Sequence, residues 1–85
     1  MSATQTKQVH VQYFALLREQ SGLASEVCAT TAQNPRELFS ELSRKHSFTL
    51  PVERLAVAVN NEFSRWDNEL AEGDLVVFIP PVAGG

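Results

Sequence analysis

The chain has 85 residues, 44% of them hydrophobic, and its seven Lys plus Arg against ten Asp plus Glu give a formal charge of -3. That is enough apolar surface for one modest core, with no room for a second domain. The acidic balance, without a basic run or aromatic-basic interleaving, excludes nucleic acid as an expected partner. The apolar stretches at Leu55 to Val59 and Leu75 to Val82 fall far short of the roughly 20 residues that cross a bilayer.

Residues 1–7 read as a flexible polar start, 8–80 as the folded domain and 81–85 as an extended tail. Met1 to Gln8 lacks the apolar run of a signal peptide, and the single cysteine, Cys28, has no internal disulfide partner, so the expected compartment is the cytoplasm. Val9, Val11 and Tyr13 alternate with His10, Gln12 and Phe14 at the strand period. Ala15 to Gln20 has room for a short helical turn, stopped at Ser21-Gly22, and Ser25 to Thr30 resumes a strand pattern that pairs antiparallel with the first.

Asn34-Pro35-Arg36-Glu37 is a helix start, with a capping Asn, a Pro suited to the first turn and a Glu three residues after the cap. The helix is expected to run to about His46, with Leu38, Phe39 and Leu42 as one apolar stripe and Arg36, Glu41, Arg44 and Lys45 outside it. After Leu50-Pro51, Leu55 to Val59 reads as a third strand, Asn60-Asn61 as a tight turn tolerant of positive φ, and Glu62 to Trp66 as the returning strand. Glu72-Gly73-Asp74 is a second turn, and Leu75 to Ile79 is the last strand, ended by Pro80-Pro81.

This order is an α+β arrangement: a mixed four- to five-stranded sheet with one main helix on one face, the β-grasp or ubiquitin-like fold. One helix covers one face, yet Leu55 to Val59 and Leu75 to Ile79 are apolar at both parities, so apolar sheet surface is left over for a partner or for local loops.

Side-chain chemistry is thin. His10 and His46 lie on different elements, and no Cys-x-x-Cys, His-x-x-x-His or phosphate-binding glycine loop occurs, so neither a metal nor a bound nucleotide is expected. Cys28 reads as a small buried hydrophobe, His46 as a complement to the helix dipole, His10 as a strand-face residue and Trp66 as the edge of the core. The acidic residues from Glu62 to Asp74 read as solvated surface.

The tail, Pro80-Pro81-Val82-Ala83-Gly84-Gly85, tapers in side-chain size and carries no charge. The prolines hold it extended, while the glycines, lacking a Cβ, pass through a slot closed to other residues. Five such residues reach roughly 15 Å. A carboxylate on Gly85 presented in this way can be activated as an acyl-adenylate and attacked by sulfur or nitrogen; the plain alternative is a frayed terminus.

Several segments carry a resemblance: Val11-Gln12-Tyr13-Phe14-Ala15-Leu16-Leu17-Arg18-Glu19, Ala58-Val59-Asn60, Leu70-Ala71-Glu72-Gly73-Asp74 and Phe78-Ile79-Pro80-Pro81-Val82-Ala83-Gly84-Gly85. On these the chain resembles the molybdopterin synthase small subunits, the MoaD-type sulfur carriers. The resemblance implies that a ubiquitin-activating-like adenylyltransferase uses ATP to adenylate Gly85 and that a sulfur donor system converts it to a thiocarboxylate. The sulfur then converts precursor Z to molybdopterin inside the synthase large subunit. It implies that Pro80 to Gly84 thread into that partner, that Phe14, Phe63 and Ile79 share the sheet face opposite the helix as its interface, and that this subunit binds no cofactor and has no active site of its own. Arg18 is matched to a contact with the activating enzyme, with an ordinary surface ion pair the competing role. Sulfur carriers for thiamine thiazole, lysine modifiers or tRNA-thiolation carriers, and a β-grasp binding module with an idle tail are the alternatives.

Overall fold

The computed structural model describes residues 6–81. It has the expected β-grasp architecture: β1 (Lys7–Tyr13), α1 (Ala15–Ser21), β2 (Ser25–Thr30), α2 (Pro35–His46), a 3-10 turn (Val52–Arg54), β3 (Ala56–Val59), β4 (Glu62–Phe63) and β5 (Leu75–Ile79). The five strands lie in the order β2-β1-β5-β3-β4. β5 pairs parallel with β1 and antiparallel with β3, and the outer pairs β1–β2 and β3–β4 are antiparallel.

Local chemistry sets the element ends. Asn34 caps α2 through its side-chain oxygen, which accepts from the Glu37 N–H at 2.8 Å. Glu37 reaches back one residue beyond the cap, to the Gln33 N–H at 2.8 Å, so one donor of the first turn and the N–H just before the cap are both satisfied. α1 ends at Gly22, whose φ of 76° lies in the left-handed region where a Cβ is costly. Asn60 and Asn61 take φ of 55° and 72°, the left-handed pair that a two-residue hairpin needs to match strand twist.

Three boundaries differ from the sequence reading. β1 begins at Lys7, inside the segment read as flexible, because Lys7 pairs with Thr30 and its ammonium donates to the Ala32 carbonyl at 2.8 Å. β3 begins at Ala56 because the Leu55 N–H closes the 3-10 turn on Val52. The return strand is two residues long: after Ser64 N–H bonds Val57, the chain leaves the sheet so that Trp66 can lie on Phe78, rings stacked at 5.9 Å.

The core lies between α2 and one face of the sheet. Leu38, Phe39 and Leu42 of α2 pack with Val9, Val11 and Tyr13 of β1, Val57 of β3, and Val76 and Phe78 of β5. Fully burying each aliphatic or Phe side chain stabilises by about 1.5 to 3 kcal/mol. Leu17 of α1 and Phe48 after α2 close the end of this layer, and Phe39 stacks on Phe48 at 5.6 Å.

Candidate functional site

β5, the last strand, runs up the centre of the sheet and delivers the chain to Pro80 and Pro81. Proline offers no N–H to a ladder, so the sheet stops here. Pro80 is buried against the domain and Pro81 is exposed, so the anchored strand passes to an exposed segment within two residues. Val82, Ala83, Gly84 and Gly85, on which the sequence reading placed the reactive end and most of the thread, lie outside the described residues.

Strand register settles which side chains surround this exit. Val76 and Phe78 are fully buried beneath α2, so Leu75, Val77 and Ile79 face the other way. Ile79 pairs with Ala56 and Val77 with Ala58, and Ala58 in turn pairs with Phe63, so Phe63, Ala58, Val77, Ala56 and Ile79 occupy one contiguous face. Phe14 follows Tyr13 in extended conformation (φ -129°, ψ 155°), and as Tyr13 points into the core, Phe14 turns to that same open face. Phe63 is 80% exposed and Phe14 48%. The three aromatic and aliphatic positions named from the sequence therefore share one face, opposite the helix.

Two further residues of this face escaped the sequence reading. Val27 of β2 pairs with the outward-facing His10 and is 55% exposed. Val77 has only 9% of its surface exposed although no helix covers it, because Gln12 and Ala58 flank it on the neighbouring strands. The alternation of Ser25 to Thr30 was the available signal for Val27. Arg18 is exposed in the last turn of α1, and none of the ion pairs among the described residues includes it.

Beside Phe63 the hairpin forms a shallow depression of about 430 Å³ bordered by Asn60, Glu62, Ser64, Asn68, Glu69 and Asp74. Two of its polar side chains, Asn60 and Asp74, hold the turn. Asn60 donates to Asp74 at 3.0 Å and accepts from the Leu75 N–H at 3.0 Å, and Asp74 accepts from the Ala71 N–H at 2.8 Å. These bonds fix the hairpin and the start of β5. They form no acid-base pair.

Among the described residues, the one dense cluster of ionisable groups lies at the end of the helix, away from the open face. Glu26 of β2 accepts from the Tyr13 phenol at 2.5 Å and from Lys45 at 2.9 Å, and its other contact is His46 Nε2 at 2.7 Å. Burial alone would raise the Glu26 carboxyl, but the hydrogen bonds from Tyr13, His46 and Lys45 outweigh it and hold the group down at about 2. Burial first, and then the Glu26 bond and charge, push the Tyr13 phenol well above its ordinary value. The bond that Lys45 donates to Glu26, and then the Glu26 charge, raise Lys45. His46, read from the sequence as a partner of the helix dipole, thus has a specific carboxylate partner and packs against the rings of Tyr13 and Phe48. Cys28 is buried, and burial with the nearby Glu26 charge pushes its thiol up to about 11, which suppresses the thiolate needed for nucleophilic attack. Among the described residues no group of His, Cys, Asp and Glu is arranged to hold a metal ion.

The described domain therefore offers a rigid platform, an apolar open face and a chain exit, and its ionisable cluster serves the fold. The family model described as the ThiS family matches residues 11–85. The chain is 36% identical over 80 residues to the molybdopterin synthase sulfur carrier subunit of Escherichia coli (strain K12), covering 91% of this chain and 99% of that protein. Among solved structures, it is similar to a complex of subunits 1 and 2 of the molybdopterin-converting factor from Helicobacter pylori 26695, with TM-score 0.61, 26% identity, and 92% and 99% of the two chains covered. SAMP1 from Haloferax volcanii shares the fold with TM-score 0.77 at 22% identity, over 92% of this chain and 99% of that one.

Proposed function

Since the chain belongs to the ThiS family, we propose that it works as the sulfur carrier subunit of a molybdopterin synthase, in molybdenum cofactor biosynthesis. The observation that carries this reading is the nearly end-to-end likeness to a carrier of that name. Its partner is a large synthase subunit, in keeping with the two-subunit complex in which a similar chain sits.

The chemistry falls to Gly85. Its carboxylate attacks the α-phosphate of ATP on a separate adenylyltransferase, pyrophosphate leaves, and the acyl-adenylate forms. Hydrosulfide supplied by a donor system then attacks the carbonyl carbon, AMP leaves with the electrons of the broken C–O bond, and loss of the proton leaves a thiocarboxylate. ATP belongs to the activating enzyme, and this subunit binds no cofactor. The domain supplies the rest. Val76 and Phe78 anchor β5 in the core, Pro80 and Pro81 lead the chain out, and Val82, Ala83 and Gly84 thread toward the partner's site with little side-chain bulk. Phe14, Phe63 and Ile79 seat the large subunit on the open face, and Arg18 meets the activating enzyme. The proposed compartment is the cytoplasm. No helix among the described residues is long and apolar enough to cross a membrane.

The test is to incubate the full chain with an activating enzyme, ATP and a sulfur source, and to follow its mass. Replacement of one oxygen by one sulfur at the C-terminus, followed by conversion of precursor Z on adding a large subunit, is the expected result. A chain lacking Gly85 that still supports molybdopterin formation would overturn the reading. Thiocarboxylate that forms yet feeds only thiazole synthesis would move the chain to another pathway.

A further inference from the structure

Beyond the tail and the open face, one edge of the sheet holds unused pairing capacity. β2 closes that edge, and no described strand lies outside it. The bond from the Tyr13 N–H to the Ala24 carbonyl, 2.9 Å, fixes the phase of the β1–β2 ladder. By alternation Glu26, Cys28 and Thr30 turn their backbone groups to β1, whereas Ser25, Val27 and Ala29 turn theirs outward. The strand, Ser-Glu-Val-Cys-Ala-Thr, contains no Pro, Lys or Gly, the residues that usually blunt such an edge. Its outward-facing Val27 is more than half exposed.

We propose that β2 pairs antiparallel with β2 of a second copy of this chain, in the register that sets Val27 of each copy opposite Ala29 of the other. Charge selects this occupant and this register. Glu41 sits at the level of Thr30, which donates to it at 2.6 Å, and Lys45 sits at the level of Glu26, bonded at 2.9 Å. With Val27 opposite Ala29, Glu26 faces the second copy's Thr30, so Lys45 of each copy comes level with Glu41 of the other. Parallel pairing in register would set like charges level instead. The two Val27–Ala29 pairs exchange backbone bonds in both directions, and the symmetry makes the seam self-complementary. Glu26 brings no bare charge to it, because Tyr13, Lys45 and His46 already hold its carboxylate.

Phe63 and β4 lie at the far edge of the sheet, so the seam leaves them uncovered. The two β5 strands run in opposite directions, and each copy keeps its own exit. The proposal is independent of sulfur chemistry, and its readout is assembly.

Sedimentation equilibrium on the full chain is the experiment, from low micromolar to about 1 mM, where weak association becomes measurable. A reversible monomer-dimer equilibrium that weakens with salt is expected. Val27→Pro removes an N–H that the fold does not use, so it should keep the native near-ultraviolet signal of Trp66 and raise the dimer Kd by about tenfold or more. Glu41→Lys should raise the Kd about three- to tenfold by setting lysines across the seam. A chain that stays monomeric throughout overturns the proposal, as does a dimer that Phe63→Asp abolishes while Val27→Pro leaves it intact. If Val27→Pro does not fold, Glu41→Lys decides, and an unchanged Kd overturns the proposal.

Discussion

The Tyr13 phenol donates to Glu26 at 2.5 Å from the neighbouring strand, and the same carboxylate holds Lys45 and His46 of α2. One carboxylate thereby pins the end of the helix to β2 and to the end of β1. Because the Glu26 side chain is only 12% exposed, its charge is poorly replaced by water if a partner is lost.

Acid stability should report this carboxylate. Its folded value of about 2 lies below the ordinary 4.5, so it contributes stability above pH 4.5 that is lost as pH falls toward 2. The contribution at neutral pH is on the order of 2 to 3 kcal/mol. Urea unfolding of Glu26→Gln at pH 7 should show a loss of that size, converging on the parent at the acid end. Parallel stability curves for the two proteins would place the acid sensitivity elsewhere.

Tyr13→Phe keeps the ring packing and removes one donor from the carboxylate, so it should cost about 1.5 to 3 kcal/mol at neutral pH. In the parent the raised phenol contributes stability that is complete below its ordinary value of 10 and declines as pH rises above it. The substituted chain should lack that alkaline decline. Tyrosinate absorbance in the parent checks the same point, since Tyr13 is its only tyrosine: absorbance that rises only with unfolding is expected, and a titration near the ordinary value in the folded protein would contradict it.

Phe63→Asp tests the open face. At 80% exposure Phe63 carries little of the core, so folding stability should change by less than about 0.5 kcal/mol. Affinity for the large subunit, measured by calorimetry, should fall at least tenfold, as expected for an aromatic anchor worth about 2 kcal/mol. Unaltered affinity would remove Phe63 from the interface.

Phe78→Ala should act in the opposite way. Phe78 is fully buried, lies edge-on to Phe39 at 5.1 Å and stacks on Trp66 at 5.9 Å. Truncation should cost about 3 to 5 kcal/mol and shift the Trp66 fluorescence as its stacking partner is lost. A cost near zero would mean that Phe39 and Trp66 collapse into the space.

What could be read from the sequence was what local physics fixes. The Asn34 cap, the Asn60-Asn61 hairpin and the α2 stripe each depend on residues within a turn or two of one another, while Phe14, Phe63 and Ile79 were named by resemblance, and strand parity only allowed them to share a face. The Glu26 cluster was not legible, because it needs the β1–β2 register and the helix crossing together, and no periodicity encodes either. β4 was overextended for a related reason: the pull of Phe39 and Phe78 on Trp66 is a long-range contact that overrides strand preference between Ser64 and Trp66. The chemistry of the tail rested on residues 82–85, which lie outside the described residues, and on resemblance.

The last of the described strands occupies the middle of the sheet. Val76 and Phe78 are the keystone of a layer whose other members are all synthesised earlier, and until they arrive β1 and β3 have no common neighbour. A nascent chain interrupted before Ile79 exposes an unfinished core to proteases and chaperones. Folding thus inspects each copy for the strand that bears the exit, before any partner has the chance to.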